Sequence, residues 1–245
     1  MDEAFLSGLR DLLQEQCQVP PLPIEWACTS AMLAANGYSY GGDFFVADRV
    51  PTPEGGDGLA MVLVDVCGKG ETALPHAVQF AGALRGLLVA LSEDQVLPAA
   101  NAFLLREPSD ESIATAVQVG VDLRTGGYAI RSAGHPPVLH WQAAAGEWTV
   151  DNARGMALGV VDEPQFDVSR GVLEPGDGLL FYTDGVIERS DADIDAGIDW
   201  LLREARAAVD AAGGAVRDVP GRILEQVTRG DDDRALLVLA RAPGE

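Results

Sequence analysis

The chain has 245 residues and a net charge of −21, with 17 Lys and Arg residues against 38 Asp and Glu residues. Hydrophobic residues make up 47% and charged residues 22%, which excludes a disordered chain and a small stapled scaffold. Such an acidic surface repels phosphates and anionic lipids, so we expect no nucleic-acid partner and no membrane partner. Three cysteines without a C-x-x-C pair, and an N-terminus without a signal-peptide pattern, predict a reduced, cytoplasmic protein.

The first half of the chain predicts one helix, three strands and two further helices. Apolar residues at helical spacing indicate a helix over residues 3–16, which ends before a proline-rich segment. Strands are predicted over residues 24–32, 43–50 and 59–66, and the last is apolar on both faces, as in a buried central strand. Helices follow over residues 72–91 and 99–106, and no apolar stretch looks rich enough to span a bilayer.

Strands dominate the second half. Hairpin strands are predicted over residues 113–122 and 128–133, followed by strands over 138–142, 148–151, 166–172 and 179–183. Helices over 194–211 and 216–228 and a strand over 235–240 complete the chain. Because hairpins dominate and the helices come in pairs, the order predicts an α+β fold of antiparallel sheets with helices outside. We divide it into an N-terminal helix and linker, residues 1–22, and one domain, residues 23–245.

Several common catalytic and nucleotide-binding motifs are missing from the sequence. No Cys is followed by Arg at the spacing of a thiolate phosphatase, and no G-x-S-x-G elbow occurs. The glycines around Lys69 do not form a P-loop, because Leu63 and Gly70 stand where Gly and Ser or Thr are required. The acidic run at residues 191–195 lacks the spacing of a calcium loop and is interpreted as the start of a helix.

Aspartates beside glycines at strand ends are the remaining chemical signal. Asp43 lies in GGDFF, Asp65 begins DVCGKG, and Asp184 lies in TDGVIE. Asp232 and Asp233 precede the last strand in DDDRALLVL. One such aspartate is usually a turn former, but an unpaired carboxylate at the end of an apolar strand is costly. A set of carboxylates without paired Cys or His favours Mg²⁺ or Mn²⁺, which also offset the mutual repulsion of the carboxylates.

These motifs, in this order, resemble the metal-dependent protein phosphatases of type 2C, and most closely the bacterial branch that includes SpoIIE and RsbU. AGHPP at residues 133–137 and GMALGV at residues 155–160 match two further strings of that branch. The resemblance runs from about residue 24 to residue 240. It implies a four-layer αββα fold, with a central β-sandwich of two antiparallel sheets and helices on both outer faces. Val46, Cys67 and Ala235 depart from the pattern, where the branch has Asp, Ser and Thr.

The resemblance also implies a site for two Mn²⁺ or Mg²⁺ ions. Asp65 would bridge the ions, and the backbone carbonyl of Val66 would bind one of them. Asp184 and Asp232 would complete the core site, and Asp43 would belong to the second ion. Asp65 and Asp184 are the expected catalytic residues. Further residues are expected to support the site without binding the core ions directly: Asp233, Gly42, Gly185 and His135. Asp233 would take the place of Asp232 as the ligand if the register of the last motif is shifted by one residue.

Two residues near these motifs have alternative interpretations. His135 is either an acid that protonates the leaving serine oxygen or a structural residue of its Gly-His-Pro-Pro turn. We favour the structural role, because a lone turn histidine is weak evidence for catalysis. Lys69 either approaches the substrate phosphate or is a solvated loop lysine, and we favour the solvated lysine.

The implied activity is hydrolysis of phosphoserine or phosphothreonine by a metal-activated water, on a protein such as a STAS-type anti-sigma-factor antagonist. One alternative is a non-catalytic interaction module of the same fold, which the intact aspartate set disfavours. Another is a hydrolase of small phosphoesters. The helix over residues 3–16 is a homodimer contact, an attachment point for a sensory domain, or a cover for the sheet.

Overall fold

A computed structural model describes residues 3–34, 41–52, 55–68, 73–107, 112–188, 193–227 and 232–244. Within these ranges the strands, in chain order, are β1 (Trp26–Leu33), β2 (Phe44–Pro51), β3 (Asp57–Val66), β4 (Ala114–Asp122), β5 (Gly127–Ala133), β6 (Leu139–Gln142), β7 (Glu147–Val150), β8 (Val168–Val172), β9 (Gly178–Tyr182) and β10 (Arg234–Arg241). The helices are α1 (Glu3–Gln16), α2 (Ala73–Ala90), α3 (Glu93–Leu104), α4 (Ile194–Ala211) and α5 (Val219–Leu224). Short 3-10 turns cover Asp184–Val186 and Val216–Asp218.

The strands form two five-stranded antiparallel sheets. One sheet has the order β1-β10-β9-β6-β7, and the other has the order β2-β3-β4-β5-β8. Both sheets mix strands from the two halves of the chain, so neither half can close its sheet alone. The predicted α+β class and the sandwich of two antiparallel sheets are both confirmed.

Alternation along the strands produces three hydrophobic layers. In β3, Leu59, Met61 and Leu63 face the space between the two sheets. The intervening residues, such as Val62 and Val64, pack under α1, α2 and α3. On the other sheet, alternate residues of β9 and β10 pack under α4 and α5. Helices therefore cover both outer faces of the sandwich, which is the predicted four-layer arrangement.

The N-terminal helix packs as part of this domain. Leu6 and Leu13 of α1 are buried against α2, and α1 covers residues 3–16 as predicted. The prediction of a separate N-terminal segment, residues 1–22, stays a prediction. Ile24, which was predicted to begin β1, is 95% exposed and precedes the strand.

Two predicted helices differ from the structure. α3 begins at Glu93 and not at residue 99, because Glu93 and Asp94 supply a favourable acidic first turn and the helix continues through Pro98. The single helix predicted over residues 216–228 is a 3-10 turn followed by α5, which ends at Leu224. The predicted ends at Thr72 and Thr228 lie outside the described residues.

One further expectation needs correction. By length and composition alone, α2 is a helix that could cross a membrane, contrary to the prediction that no stretch is apolar enough. In the fold, however, one face of α2 is buried beneath α1 and α3 and against β2, through residues that include Leu74, Phe80 and Leu84. That is the packing of a core helix in a globular domain.

Candidate metal centre

Strand alternation brings acidic side chains into the open end of the sandwich. Leu63 faces the space between the sheets, so Asp65, two residues later in β3, enters the same space where the strand ends. Asp43 lies two residues before Phe45, which faces the same space, so Asp43 enters that space at the start of β2. Asp233 lies two residues before Ala235 of β10 and enters it for the same reason.

The remaining two acids come from turns at the same end. Asp184 begins the 3-10 turn that follows β9, and Asp232 precedes Asp233 at the entry to β10. Both interact electrostatically with Asp65. The structure thus brings together all five predicted aspartates from four strand ends. Only Asp232 and Asp233 are neighbours in the sequence.

Crowding and burial make ionisation of this cluster unfavourable. Burial raises the pKa of Asp65 to about 7, and repulsion from Asp184, Asp232 and Asp233 acts in the same direction. The pKa of Asp43 also lies well above its ordinary value, chiefly through burial and then through repulsion from Asp65. A hydrogen bond between the Asp43 and Asp65 side chains opposes the rise at Asp65. Protonation is therefore more favourable at these two carboxyl groups than at exposed aspartates.

A buried threonine fixes the Asp43 carboxylate. Thr183 is 0% exposed, and its Oγ1 donates a hydrogen bond of 2.7 Å to Asp43 Oδ2. The same hydroxyl accepts a bond of 2.9 Å from the backbone N–H of Ala235. Thr183 thereby joins the β2 carboxylate to β9 and β10. Thr183 was not among the residues predicted for the site, although it lies beside Asp184 in the TDG motif.

Three glycines allow the strand ends to approach closely. A Cβ on Gly42 would lie 3.0 Å from the carbonyl oxygen of Val66, and a Cβ on Gly41 would lie 2.8 Å from an Asp233 carboxylate oxygen. At Gly185 a side chain would overlap the Asp233 backbone. The motif glycines are therefore required where β2, β3 and the Asp184 turn converge.

Asp232 and Asp233, the acidic pair before β10, make different hydrogen bonds. Asp233 is 5% exposed, and its Oδ2 accepts a bond of 2.6 Å from the N–H of Gly42. Asp232 is half-buried, and its Oδ1 accepts a local bond of 3.0 Å from the N–H of Asp233. Asp233 thus links the two sheets, while Asp232 caps the entry to its own strand. Asp231 and Lys69 lie outside the described residues.

The residues present suit hard divalent cations. The donors are carboxylates together with the Val66 carbonyl, whose approach to Gly42 a side chain would obstruct. Within the described ranges, no three Asp, Glu, His or Cys side chains are already arranged as a group that could hold a metal ion. Carboxyl oxygens there accept hydrogen bonds from the Thr183 hydroxyl and from the N–H groups of Gly42 and Asp233.

His135 is buried beside the site in a neutral form. Its Nδ1 lies 2.8 Å from Thr115 Oγ1, and Thr115 pairs with Asp65 across the β3–β4 ladder. Burial lowers the pKa of His135 to about 3, against a smaller opposing effect of the Tyr182 backbone. The ring therefore carries no acidic proton at neutral pH, which favours the structural interpretation over the catalytic one.

The sandwich is the fold of PP2C-type phosphatase domains. The RsbU and RsbW domains of Rv1364c from Mycobacterium tuberculosis superpose with a TM-score of 0.77 at 29% identity, covering 94% of this chain and 64% of that chain. The PP2C phosphatase domain of Bacillus subtilis SpoIIE, with a fragment of its regulatory domain, gives 0.69 at 18% identity, covering 90% and 64%. RsbX in complex with magnesium gives 0.65 at 16% identity, covering 91% and 98%.

A sequence model of the stage II sporulation protein E (SpoIIE) family matches residues 55–242. The chain belongs to the SpoIIE family and is a PP2C-type phosphatase domain of it. It spans 64% of the length of the first two solved chains, which carry additional domains or fragments. Asp43 lies before the matched range, whereas the other four aspartates lie inside it.

The carboxyl cluster should make the stability of the metal-free protein depend on pH. Because the pKa of Asp65 rises from 3.8 to about 7 on folding, the folded state binds this proton more tightly than the unfolded state. Its contribution to the free energy of unfolding is present at low pH and is lost as pH rises through about 7. Asp65→Asn should therefore gain stability relative to wild type between about pH 5 and about pH 8 in EDTA.

Urea denaturation at both pH values measures this difference. The matched control is Asp199→Asn, at an exposed position on α4 far from the cluster in sequence and layer. A difference between Asp65→Asn and wild type that is the same at both pH values would contradict the electrostatic account.

Proposed function

We propose that this domain is a metal-dependent protein serine/threonine phosphatase that uses two Mn²⁺ or Mg²⁺ ions. The convergence of five aspartates at one end of the sandwich carries this proposal. A buried cluster of this charge needs cations, and no activated nucleophile accompanies it in the sequence. Membership of the SpoIIE family supports the same reaction.

Each residue has a distinct part in the proposed site. Asp65 would bind both ions, and the Val66 carbonyl would bind one of them. Asp184 and Asp232 would complete the core ligands, and Asp43 would belong to the second ion. When bound, the ions supply an activated water and offset the charge on the phosphate oxygens. The hydroxyl of Thr183 keeps Asp43 oriented by a bond that does not need the ions.

Metal dependence is the first test of this proposal. EDTA should abolish phosphatase activity, and Mn²⁺ or Mg²⁺ should restore it, because the donor set is entirely oxygen. Asp65→Ala and Asp184→Ala should each remove turnover and leave a folded domain, since losing one carboxylate relieves repulsion. Turnover with p-nitrophenyl phosphate and circular dichroism measure the two effects. Activity that survives exhaustive chelation would exclude the mechanism.

The acidic pair before β10 offers a sharper test. Asp232→Asn should reduce turnover by about a hundredfold or more and raise the Mn²⁺ concentration needed for half-maximal rate, because a ligand is lost. Asp233→Asn should cost clearly less, because an amide oxygen can still accept the N–H of Gly42. Metal titrations of both variants show which of the two aspartates binds the ion. A larger loss at Asp233 would make Asp233 the ligand.

We further propose that the substrate is a phosphorylated protein, such as a STAS-type anti-sigma-factor antagonist. RsbU, RsbX and stressosome proteins among the solved relatives support this class. An apolar surface beside the site also supports it. Leu158 pairs with Ala114, which in turn pairs with Val66, so two strand spacings of about 5 Å separate Leu158 from the metal centre.

Exposed side chains surround Leu158 on a segment that is held in place. Met156 and Val160 are each 48% exposed. The buried side chain of Asn101 accepts a bond of 2.8 Å from the N–H of Gly159 and donates one of 2.8 Å to the carbonyl of Val161. The Val160 side chain is thus held towards solvent by a fixed backbone. Such a side chain can contact a protein substrate, whereas a small phosphoester would not reach it.

A charge on this surface should separate the two substrate classes. Val160→Asp should lower kcat/KM on a phosphorylated STAS protein by about tenfold, because binding of the protein substrate would remove water from the new carboxylate. Turnover of p-nitrophenyl phosphate should stay near wild type. Val150→Asp is the control, since Val150 is 46% exposed on the edge strand β7. Equal losses on both substrates would contradict a protein-contact role for Val160, and a wild-type protein without turnover on either substrate would favour the non-catalytic module.

Two further expectations belong to this proposal. We propose a cytoplasmic location, in keeping with the composition and the three free cysteines. We also propose that α1 forms a homodimer contact, because Phe5 and Leu12 are 55% and 48% exposed on the side of α1 away from its buried residues Leu6 and Leu13.

A further inference from the structure

A buried arginine lies directly behind the aspartate cluster. Arg234 is the first residue of β10, immediately after Asp232 and Asp233, and it is 5% exposed. Its Nε donates a bond of 2.8 Å to the carbonyl oxygen of Gly185, the residue after Asp184. Taking a guanidinium out of water is costly, so the burial of Arg234 needs a physical reason.

Alternation places the Arg234 side chain on the outer face of its sheet. Asp233 and Ala235 face the space between the sheets, whereas Leu236 packs under α4 and α5. Arg234 shares the direction of Leu236 and reaches the Asp184 turn from outside the acidic end.

The Asp184 turn is held from two sides. On the inner side, the Thr183 N–H donates a bond of 3.1 Å to the Ala235 carbonyl, and Thr183 Oγ1 accepts the Ala235 N–H. On the outer side, the Arg234 Nε bond holds Gly185. Gly185 itself packs against the Asp233 backbone so closely that no side chain fits there. The turn is thus clamped onto the segment that carries Asp232.

The bond to Gly185 leaves part of the Arg234 guanidinium without a hydrogen bond. The Nη1 atom of Arg234 is buried and has no hydrogen-bond partner among the described residues. A side chain selected only for stability would gain from an apolar replacement of similar volume. We propose that Arg234 is a positioning residue that sets the separation between Asp184 and Asp232, and thereby the affinity of the site for divalent cations. This inference rests on the proposed function, because the residues that it positions are the proposed metal ligands.

Direct metal binding tests the inference without relying on turnover. Binding is measured from the electron paramagnetic resonance signal of free Mn²⁺, and stability from urea denaturation in EDTA. Arg234→Met should raise the Kd for Mn²⁺ about tenfold, the usual effect of losing a residue that orients a ligand. Arg234→Lys should raise it about threefold, because Lys keeps the charge and a donor but loses the planar guanidinium.

Arg241→Met is the matched control. Arg241 lies at the opposite end of β10, and its Nη1 donates bonds of 2.8 Å and 3.1 Å to the carbonyls of Leu173 and Thr125. Losing these bonds should lower the urea midpoint and leave the Kd for Mn²⁺ unchanged. The comparison therefore separates general destabilisation of β10 from a change in the geometry of the site.

Two outcomes overturn the proposal. One is a wild-type Kd for Mn²⁺ in Arg234→Met, or in Arg234→Lys alone if the Met variant does not fold. The other is an equal rise in Kd for Arg234→Met and Arg241→Met. Failure of the wild-type protein to bind Mn²⁺ would instead overturn the proposed function, so the two failures are distinguishable.

Discussion

Mutual repulsion between carboxylates at the open end of the sandwich is the constraint on which the site depends. Five aspartates are brought there from β2, β3, β9 and β10, and burial raises the pKa of Asp65 to about 7. A protein core tolerates such a cluster only with protons, hydrogen-bond donors or cations. The raised pKa values of Asp43 and Asp65 favour protonation, and the Thr183 hydroxyl and the Gly42 N–H donate hydrogen bonds to the cluster.

The rest of the fold makes this crowding possible. Strand alternation directs Asp43, Asp65 and Asp233 into the space between the sheets, where the apolar layer of Leu63 and Phe45 ends. Glycines at positions 41, 42 and 185 remove the side chains that would keep the strand ends apart. The hydrophobic layers therefore supply rigidity, and the acids lie where the apolar layer between the sheets ends.

The sequence was sufficient for the elements with strong periodicity and for the aspartates themselves. The spacing of apolar residues predicted the bounds of α1 and α4 correctly. The continuous apolar run of β3 likewise predicted that this strand is buried. The predicted helix at residues 99–106 and its flanks gave no exact start, and the acidic first turn at Glu93 and Asp94 marks where α3 begins.

Contacts across strands could not be predicted from the sequence. The bond from Thr183 to Asp43 and the bond from Arg234 to Gly185 join residues that are far apart along the chain. The different roles of Asp232 and Asp233 depend on where β10 begins, since a shift of one residue exchanges the two faces of a strand. Periodicity identifies the face of each strand, but the pairing of strands determines which side chains meet.

The most direct test of the central claim is a count of protons released when Mn²⁺ binds. Calorimetric titrations of the metal-free protein near neutral pH, in buffers of different ionisation enthalpy, give this number. If cations displace the proton that the raised pKa values of Asp43 and Asp65 favour, about one proton per chain should be released on binding. Mn²⁺ binding with a heat that does not depend on the buffer would contradict the account.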